Sequence, residues 1–249
     1  MDLEKNSEHI KNSIKEIYKY RTELHAHTSP ISSCADFSPE DVVEKYVEAG
    51  YDALTITNHF SYPYRAGRFE KEPTASEFVD WYMSDFYKAY EVGEKMGIKI
   101  ILGAEIRFAE NENDYLIYGI NEDILKEIYE ILPYGIADFK ASETLKDVLI
   151  VQAHRFRDRM EYIDPSYVDG IETFNMHSGH NSRVAMTVKF AKENNFKIVT
   201  AGSDFHHEGG EGMAALRTKE LPQNSCELEA VLRSCDYVFE IGENSIVLP

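Results

Sequence analysis

Cysteine is scarce in this chain of 249 residues: Cys34, Cys226 and Cys235 are the three, and no two form a CxxC pair. An odd number of thiols without paired spacing excludes a disulfide framework. Positive charge is also short, with 26 Lys and Arg against 44 Asp and Glu, a net charge of −18. So acidic a surface repels polyphosphate backbones, which makes a nucleic-acid polymer an unfavourable partner. A local basic patch can still hold one small phosphate. No apolar run approaches the roughly 20 residues needed to cross a bilayer. The opening Met1-Asp2-Leu3-Glu4-Lys5-Asn6 is polar and has no secretory core. A cytoplasmic protein with no membrane association is expected. Low-complexity tracts, internal repeats and Gly-, Pro- or Ser-rich linkers are missing too. One domain over 1–249, with a helical extension at about 1–20, is therefore expected.

What the chain does contain is an alternation of short strand-like and longer helical runs. Strands are predicted at 22–26, 53–57, 98–104, 115–120, 148–153, 169–173 and 197–201, with a possible edge pair at 237–241 and 245–248. Helices are predicted between them. Ser38-Pro39-Glu40-Asp41 is a start signal, residues 76–96 carry an apolar face, and Asn181 is placed to cap a helix holding Val184, Val188 and Ala191. Repeated β-then-α order predicts a mainly parallel sheet or barrel, in which the C-terminal strand ends build the site.

Polar clusters fall at those strand ends: Glu23-Leu24-His25-Ala26-His27, Thr57-Asn58-His59, Gly103-Ala104-Glu105, Val151-Gln152-Ala153-His154 and Gly202-Ser203-Asp204-Phe205-His206. His25 and His27 stand at i and i+2 on a strand, so both point to one face and can grip one ion. Asp204 and His206 repeat that spacing. A carboxylate such as Glu105 at the end of an apolar strand is costly unless paired or metal-bound. Each cluster also has a plainer reading: structural or surface histidines for His25, His27, His59 and His154, a helix cap for Ser203 or Asp204, and an ion pair with Arg107 for Glu105.

The order HxH, then a histidine after the second strand, then Glu, then a lone His, then Ser-Asp-x-His resembles the polymerase and histidinol phosphatase (PHP) family. The resemblance spans about 21–207 and is densest from Glu23 to Phe60. It implies an α/β fold, a distorted seven-stranded (β/α) barrel, with two or three divalent metal ions (Mn, Fe or Zn). Carried across residue by residue, His25, His27, Glu105 and Asp204 hold a first ion, Glu105 bridges to a second held by His154, and His59 and His206 hold a third. Asp36 fits the slot after HxH, with Cys34 as a competing thiolate ligand or simply a small buried residue. Two positions depart from the family pattern. Asn58 stands where Asp usually precedes the second-strand histidine, so local proton chemistry is expected to differ. Asp114 stands where a histidine often ligates; as a hard, charged donor it shifts preference toward manganese or iron, unless it is solvated and the second ion is lost.

The resemblance implies a phosphoesterase that hydrolyses a small phosphorylated metabolite or nucleotide through a metal-activated hydroxide. Asp36, His59, Arg155 and Arg65 are the residues expected to act on the substrate, with Arg68, Arg107, Arg157 and Arg183 as further phosphate candidates. His177 and His180 are candidate acids or substrate contacts. The loop 61–74, with Tyr62, Tyr64 and Phe69, is a candidate lid. Two alternatives stand beside this reading: an amidohydrolase-like enzyme, which also opens on HxH, and a non-catalytic metal-binding module.

Overall fold

The computed structural model describes residues 3–62, 69–242 and 245–249. Helix α1 (Leu3–Ile17) leads into β1 (Tyr20–Ala26), followed by α2 (Pro39–Glu48), β2 (Ala53–Ile56), β3 (His59–Ser61), α3 (Ala75–Met96), β4 (Lys99–Leu102), β5 (Ala104–Arg107) and β6 (Tyr115–Tyr118). Helices α4 (Glu122–Ile131) and α5 (Ile136–Ala141) precede β7 (Leu149–Gln152) and β8 (Gly170–Asn175). Then come α6 (Val184–Glu193), β9 (Ile198–Gly202), β10 (Ala214–Thr218), α7 (Ser225–Ser234), β11 (Val238–Ile241) and β12 (Ser245–Val247).

Local chemistry accounts for most helix boundaries. The Ser38 side chain accepts from the Asp41 N–H with Pro39 in the first turn, as the sequence predicts. Thr74 and Glu77 form a full capping box on α3, and Gly97 ends that helix at φ 78°. Asn181 does not cap α6. That helix starts at Val184 behind Arg183, whose φ is 46°, and the Arg183 guanidinium is spent on Phe156 O and Asp158. No described helix is long and apolar enough to cross a membrane.

The strands form two six-stranded mixed sheets, in the orders β12-β11-β10-β1-β2-β4 and β3-β5-β6-β7-β8-β9. The described strands thus do not close into the expected seven-stranded ring. β10, which the sequence did not reveal, pairs antiparallel with β1, and β6 is antiparallel to both of its neighbours. The parallel pair β2–β4 is interrupted at Thr57-Asn58 and at Gly103, and resumes as β3–β5 in the second sheet. Gly103 is required at this crossing, because a Cβ there would lie 2.9 Å from the methyl groups of both Thr55 and Thr57. On the other flank, the parallel bridge Ala26–Phe205 and the bonds His27 N–H to Phe205 O and Phe205 N–H to His25 O tie the end of β1 to the chain beyond β9. The two sheets therefore meet along a seam, and the polar strand ends lie on it.

Candidate metal centre

Each sheet contributes donors to that seam. From β1 comes His25 and from the residue just beyond its end His27, both fully buried. From the second sheet come His59 and Glu105, which are register partners on β3 and β5, and His154 and Asp204, which follow β7 and β9. His154 (φ 25°) and Asp204 (φ 50°) both adopt left-handed backbone. Non-glycine residues resist that conformation, and its persistence at two strand ends fits a functional constraint.

The central donors are spaced like the edges of a coordination shell. His25 Nε2 lies 3.1 Å from His27 Nε2, 3.3 Å from Glu105 Oε1 and 3.3 Å from Asp204 Oδ1. His27 Nε2 lies 3.4 Å from Asp204 Oδ1 and 3.5 Å from Glu105 Oε2. Ligands about 2.1 Å from one ion stand roughly 3.0–3.4 Å apart in octahedral or tetrahedral geometry. The far ring nitrogens are already held, His25 Nδ1 by Glu172 Oε1 at 2.8 Å and His27 Nδ1 by Ser32 Oγ at 3.1 Å. That arrangement turns both Nε2 atoms toward each other, which suits a cation between them. The residues present therefore fit a divalent ion.

Glu105 spans the flanking positions. Its Oε1 is 3.0 Å from His154 Nε2, and its Oε2 is 2.7 Å from His59 Nδ1. Glu105, Asp114 and His154 form one donor group to one side, and His27, His59 and His206 form another. The ion pair anticipated between Glu105 and Arg107 is not made. Arg107 instead grips Asp114 with two bonds, 2.6 Å from Nε and 2.5 Å to Oδ2, and Arg157 adds a third at 2.9 Å. Asp114 is thus buried beside His154, 3.7 Å from its Nε2, and neutralised by two guanidiniums rather than solvated.

Several expected positions lie elsewhere. The Asp36 carboxylate is 62% exposed and bonds His207 Nδ1 at 2.8 Å, outside all three donor groups. Cys34 takes the place expected of Asp36, with Sγ 3.2 Å from His59 Nε2. Arg155 is buried away from the cleft, bonded to Gln152 and Ile163 O and stacked on Phe190 at 3.9 Å. Among the described residues, the arginines lining the cleft are Arg107 and Arg157. Arg65, Arg68 and Tyr64 lie outside the described residues, so most of the candidate lid does as well. Phe69 packs on Phe78 and Trp81.

Sequence reasoning missed three supporting residues. Glu172, in the middle of β8, holds His25 Nδ1 with one oxygen and the His154 N–H with the other, at 3.0 Å. Asn175 donates to both Glu172 and Asp204. Ser32 donates to Asn58 Oδ1 and accepts from the His59 N–H. A buried acid within the apolar run Gly170-Ile171-Glu172-Thr173-Phe174 was the available signal for Glu172. Asn58 itself faces away from the donors. Its carbonyl accepts from Thr28 N–H and Ser32 O–H, and its amide donates to Thr28 Oγ1, whose hydroxyl donates to Asp85. An aspartate at 58 would set a second buried carboxylate against a hydroxyl already committed to Asp85, so the amide is the form this network accepts.

Charge coupling is strong. Burial opposes a charge on His25, but Asp204, Glu172 and Glu105 outweigh it and raise its pKa well above the ordinary value. Burial, with His206 and His59 nearby, drives His27 well below it. Against burial, Glu105 lifts His59 to about 10, and Asp204 and Cys34 lift His206 to about 10. Burial disfavours ionised Glu105 and Asp204, yet the surrounding histidines hold both well below the carboxylate range. In the metal-free chain His25, His59 and His206 are accordingly protonated at neutral pH, whereas a metal ligand must be neutral. Binding of Mn²⁺ or Zn²⁺ will therefore release protons at pH 8, and apparent affinity will rise with pH at least until His59 and His206 lose their charge near pH 10. Calorimetric titration in two buffers of different ionisation enthalpy measures this. Buffer-independent heats would show that the histidines are already neutral.

The donors open onto a cavity of about 270 Å³ lined by Cys34, Arg107, Arg157, His177, His180 and His206, among others. His177 and His180 do enter the mouth, stacked with ring centroids 3.8 Å apart, and His180 Nδ1 lies 3.1 Å from Asp204 Oδ2. Burial, only partly offset by Asp204, drops His177 to about 4, so it is neutral at pH 7.

An α/β fold with histidine and carboxylate donors gathered at its strand ends defines a class of candidate metalloproteins. The PHP domain family model matches residues 23–189, and the chain belongs to that family. It is 23% identical over 151 residues to a PolC-type DNA polymerase III of Latilactobacillus sakei subsp. sakei strain 23K, a match covering 58% of this chain and 9% of the polymerase. Two solved structures share the fold. One is a two-domain protein of Bacteroides vulgatus ATCC 8482 containing a predicted PHP-like metal-dependent phosphoesterase, with TM-score 0.61, 18% identity, and 90% of this chain and 65% of that one covered. The other is PsfC of Pseudomonas syringae PB-5123, with TM-score 0.57, 16% identity, and 92% and 91% covered. The chain thus spans less than two thirds of the polymerase and of the two-domain protein.

Proposed function

We propose that this protein is a metal-dependent phosphoesterase acting on a small phosphorylated metabolite or nucleotide, with two or three divalent ions. The observation that carries the reading is the set of donor separations from 3.1 to 3.5 Å among His25, His27, Glu105 and Asp204, beside a cleft holding two arginines. His25, His27, Glu105 and Asp204 would hold a central ion, Glu105, His154 and Asp114 a second, and His59 and His206 a third. Such ions supply, when bound, a water made acidic enough to attack at neutral pH and positive charge against the phosphoryl oxygens.

The protein's own groups supply the rest. Arg107 and Arg157 share one aspartate, leaving a net positive charge at the cleft wall to orient phosphate. Glu172 and Ser32 fix the ring orientation of His25 and His27 before any substrate arrives. At about 270 Å³ the cleft lies just below the usual size of ligand cavities, roughly 300–1,000 Å³. With the −18 charge, this favours a small molecule over a polyanionic chain.

The test is a phosphate-release screen over phosphorylated metabolites, nucleotides and p-nitrophenyl phosphate, with Mn²⁺, Fe²⁺ or Zn²⁺ added and lactams and simple esters alongside. Metal-dependent phosphate release is expected. Amide turnover without it would move the protein to the amidohydrolase reading, and a fully loaded but inert chain would make it a binding module.

A further inference from the structure

The third donor group differs from the sequence-based expectation in one atom type. The expected oxygen ligand, Asp36, is turned outward to His207. In its place Cys34 brings sulfur beside His59, and it lines the cleft together with His59 and His206. The His59 ring donates from Nδ1 to Glu105 Oε2 at 2.7 Å, so that on losing its second proton to a metal it presents the Nε2 lone pair, 3.2 Å from Cys34 Sγ. The His206 ring donates from Nδ1 to the Asp204 carbonyl at 2.9 Å, which leaves its other nitrogen for a metal, and it lines the same cavity as Cys34, whose thiol helps raise its pKa. In both rings one nitrogen is held by an oxygen acceptor and the other is presented outward, the arrangement metal-bound histidines adopt. A zinc ion with Zn–S about 2.3 Å and Zn–N about 2.0–2.1 Å sets sulfur and nitrogen roughly 3.5 Å apart, close to the spacing observed. His27, whose ring centroid lies 4.4 Å from that of His59 and 4.2 Å from that of His206, closes the inner side of this group.

The geometry points to Cys34 as a thiolate ligand that completes a Cys–His metal position with His59 and His206. This rests on the metal-centre reading above and gives it a chemical consequence. The central group mixes imidazole with carboxylate and accepts harder ions. The outer position, with sulfur, selects a thiophilic one, zinc or ferrous iron, over manganese. The chain then carries two kinds of site side by side, and its full complement requires two different metals, or zinc or iron throughout.

Cobalt(II) reports this directly, because a Co–thiolate bond gives an intense near-ultraviolet charge-transfer absorption that nitrogen and oxygen ligands do not. The full chain loaded with Co²⁺ should show that absorption. Cys34→Ser should lose it, and should lower the affinity of the weakest-bound Zn²⁺ by tenfold or more while leaving the central ion in place. Cys226→Ser and Cys235→Ser should keep it. Cys34 is exposed, so the substitution leaves the core intact, and circular dichroism checks that it does. Cobalt binding without the absorption, or an absorption that survives in Cys34→Ser, overturns the assignment while leaving the metal centre standing. A folded chain that takes up no cobalt overturns both.

Discussion

Asp204→Ala should bind no metal at the central position and lose at least about 10³-fold in phosphate release, well beyond the 10–100-fold typical of disturbing an outer-shell partner. The expectation follows from where the carboxylate lies. Asp204 Oδ1 is within 3.3–3.4 Å of His25, His27 and His206, and its other oxygen takes a hydrogen bond from Asn175 and contacts His180. Removing it leaves His25 facing the centre without one of the three carboxylates that favour its protonated form. His25→Ala should be as severe, since it deletes the donor shared by the shortest central contacts. Metal content measured after gentle purification, together with turnover on the best substrate from the screen, decides the matter. Wild-type metal content and turnover in Asp204→Ala would remove this residue from the centre.

A second large effect is expected from a position that offers no donor atom. Gly202 ends β9 directly beneath His25. A Cβ built there would stand 2.4 Å from His25 Cβ and 2.9 Å from Glu172 Oε1. Neither neighbour can retreat cheaply, because His25 and Glu172 hold each other and Glu172 also holds His154. Gly202→Ala should therefore cost about 1–3 kcal/mol of stability by overpacking, or roughly 2–4 °C in Tm per kcal/mol for a domain of this size. It should also weaken metal binding about 10–100-fold, as loss of an outer-shell partner does. Thermal melts with and without metal, alongside metal titration, test both parts. An alanine variant with unchanged Tm and unchanged affinity would show that His25 has room to move.

The elements that were legible in the sequence are those whose signal is local. Alternation and apolar runs placed β1, β2 and β7 within a few residues, and Ser38-Pro39 marked the start of α2. The HxH and DxH spacings were readable because strand parity sends i and i+2 to one face. Parity fails where the chain turns. His154 leaves β7 in left-handed backbone and a turn closed by Arg157 N–H to His154 O follows, so strand parity no longer applies: Arg157, not Arg155, lines the cleft. The loop between His27 and Ser38 has no period at all, and its own turns carry Cys34 to the cleft and Asp36 away from it. Glu172 and Asn175 act through partners distant in sequence, so no spacing rule could assign them. The division of the expected ring into two sheets was not legible for a related reason. Two one- or two-residue interruptions, Thr57-Asn58 and Gly103, divide what reads as continuous strand between two sheets.

That division bears on how the molecule holds together. His25 and His27 belong to one sheet, and His59, Glu105, His154 and Asp204 to the other or its extensions. An ion bound by both sets grips only the docked arrangement, and a ligand that binds only the folded form adds roughly 4 kcal/mol at a thousandfold excess over its Kd. Metal supply then becomes a mechanical variable. With metal bound, the donors add a link between the two sheets, and under chelation the sheets are held by their shared apolar core and a few backbone bonds alone.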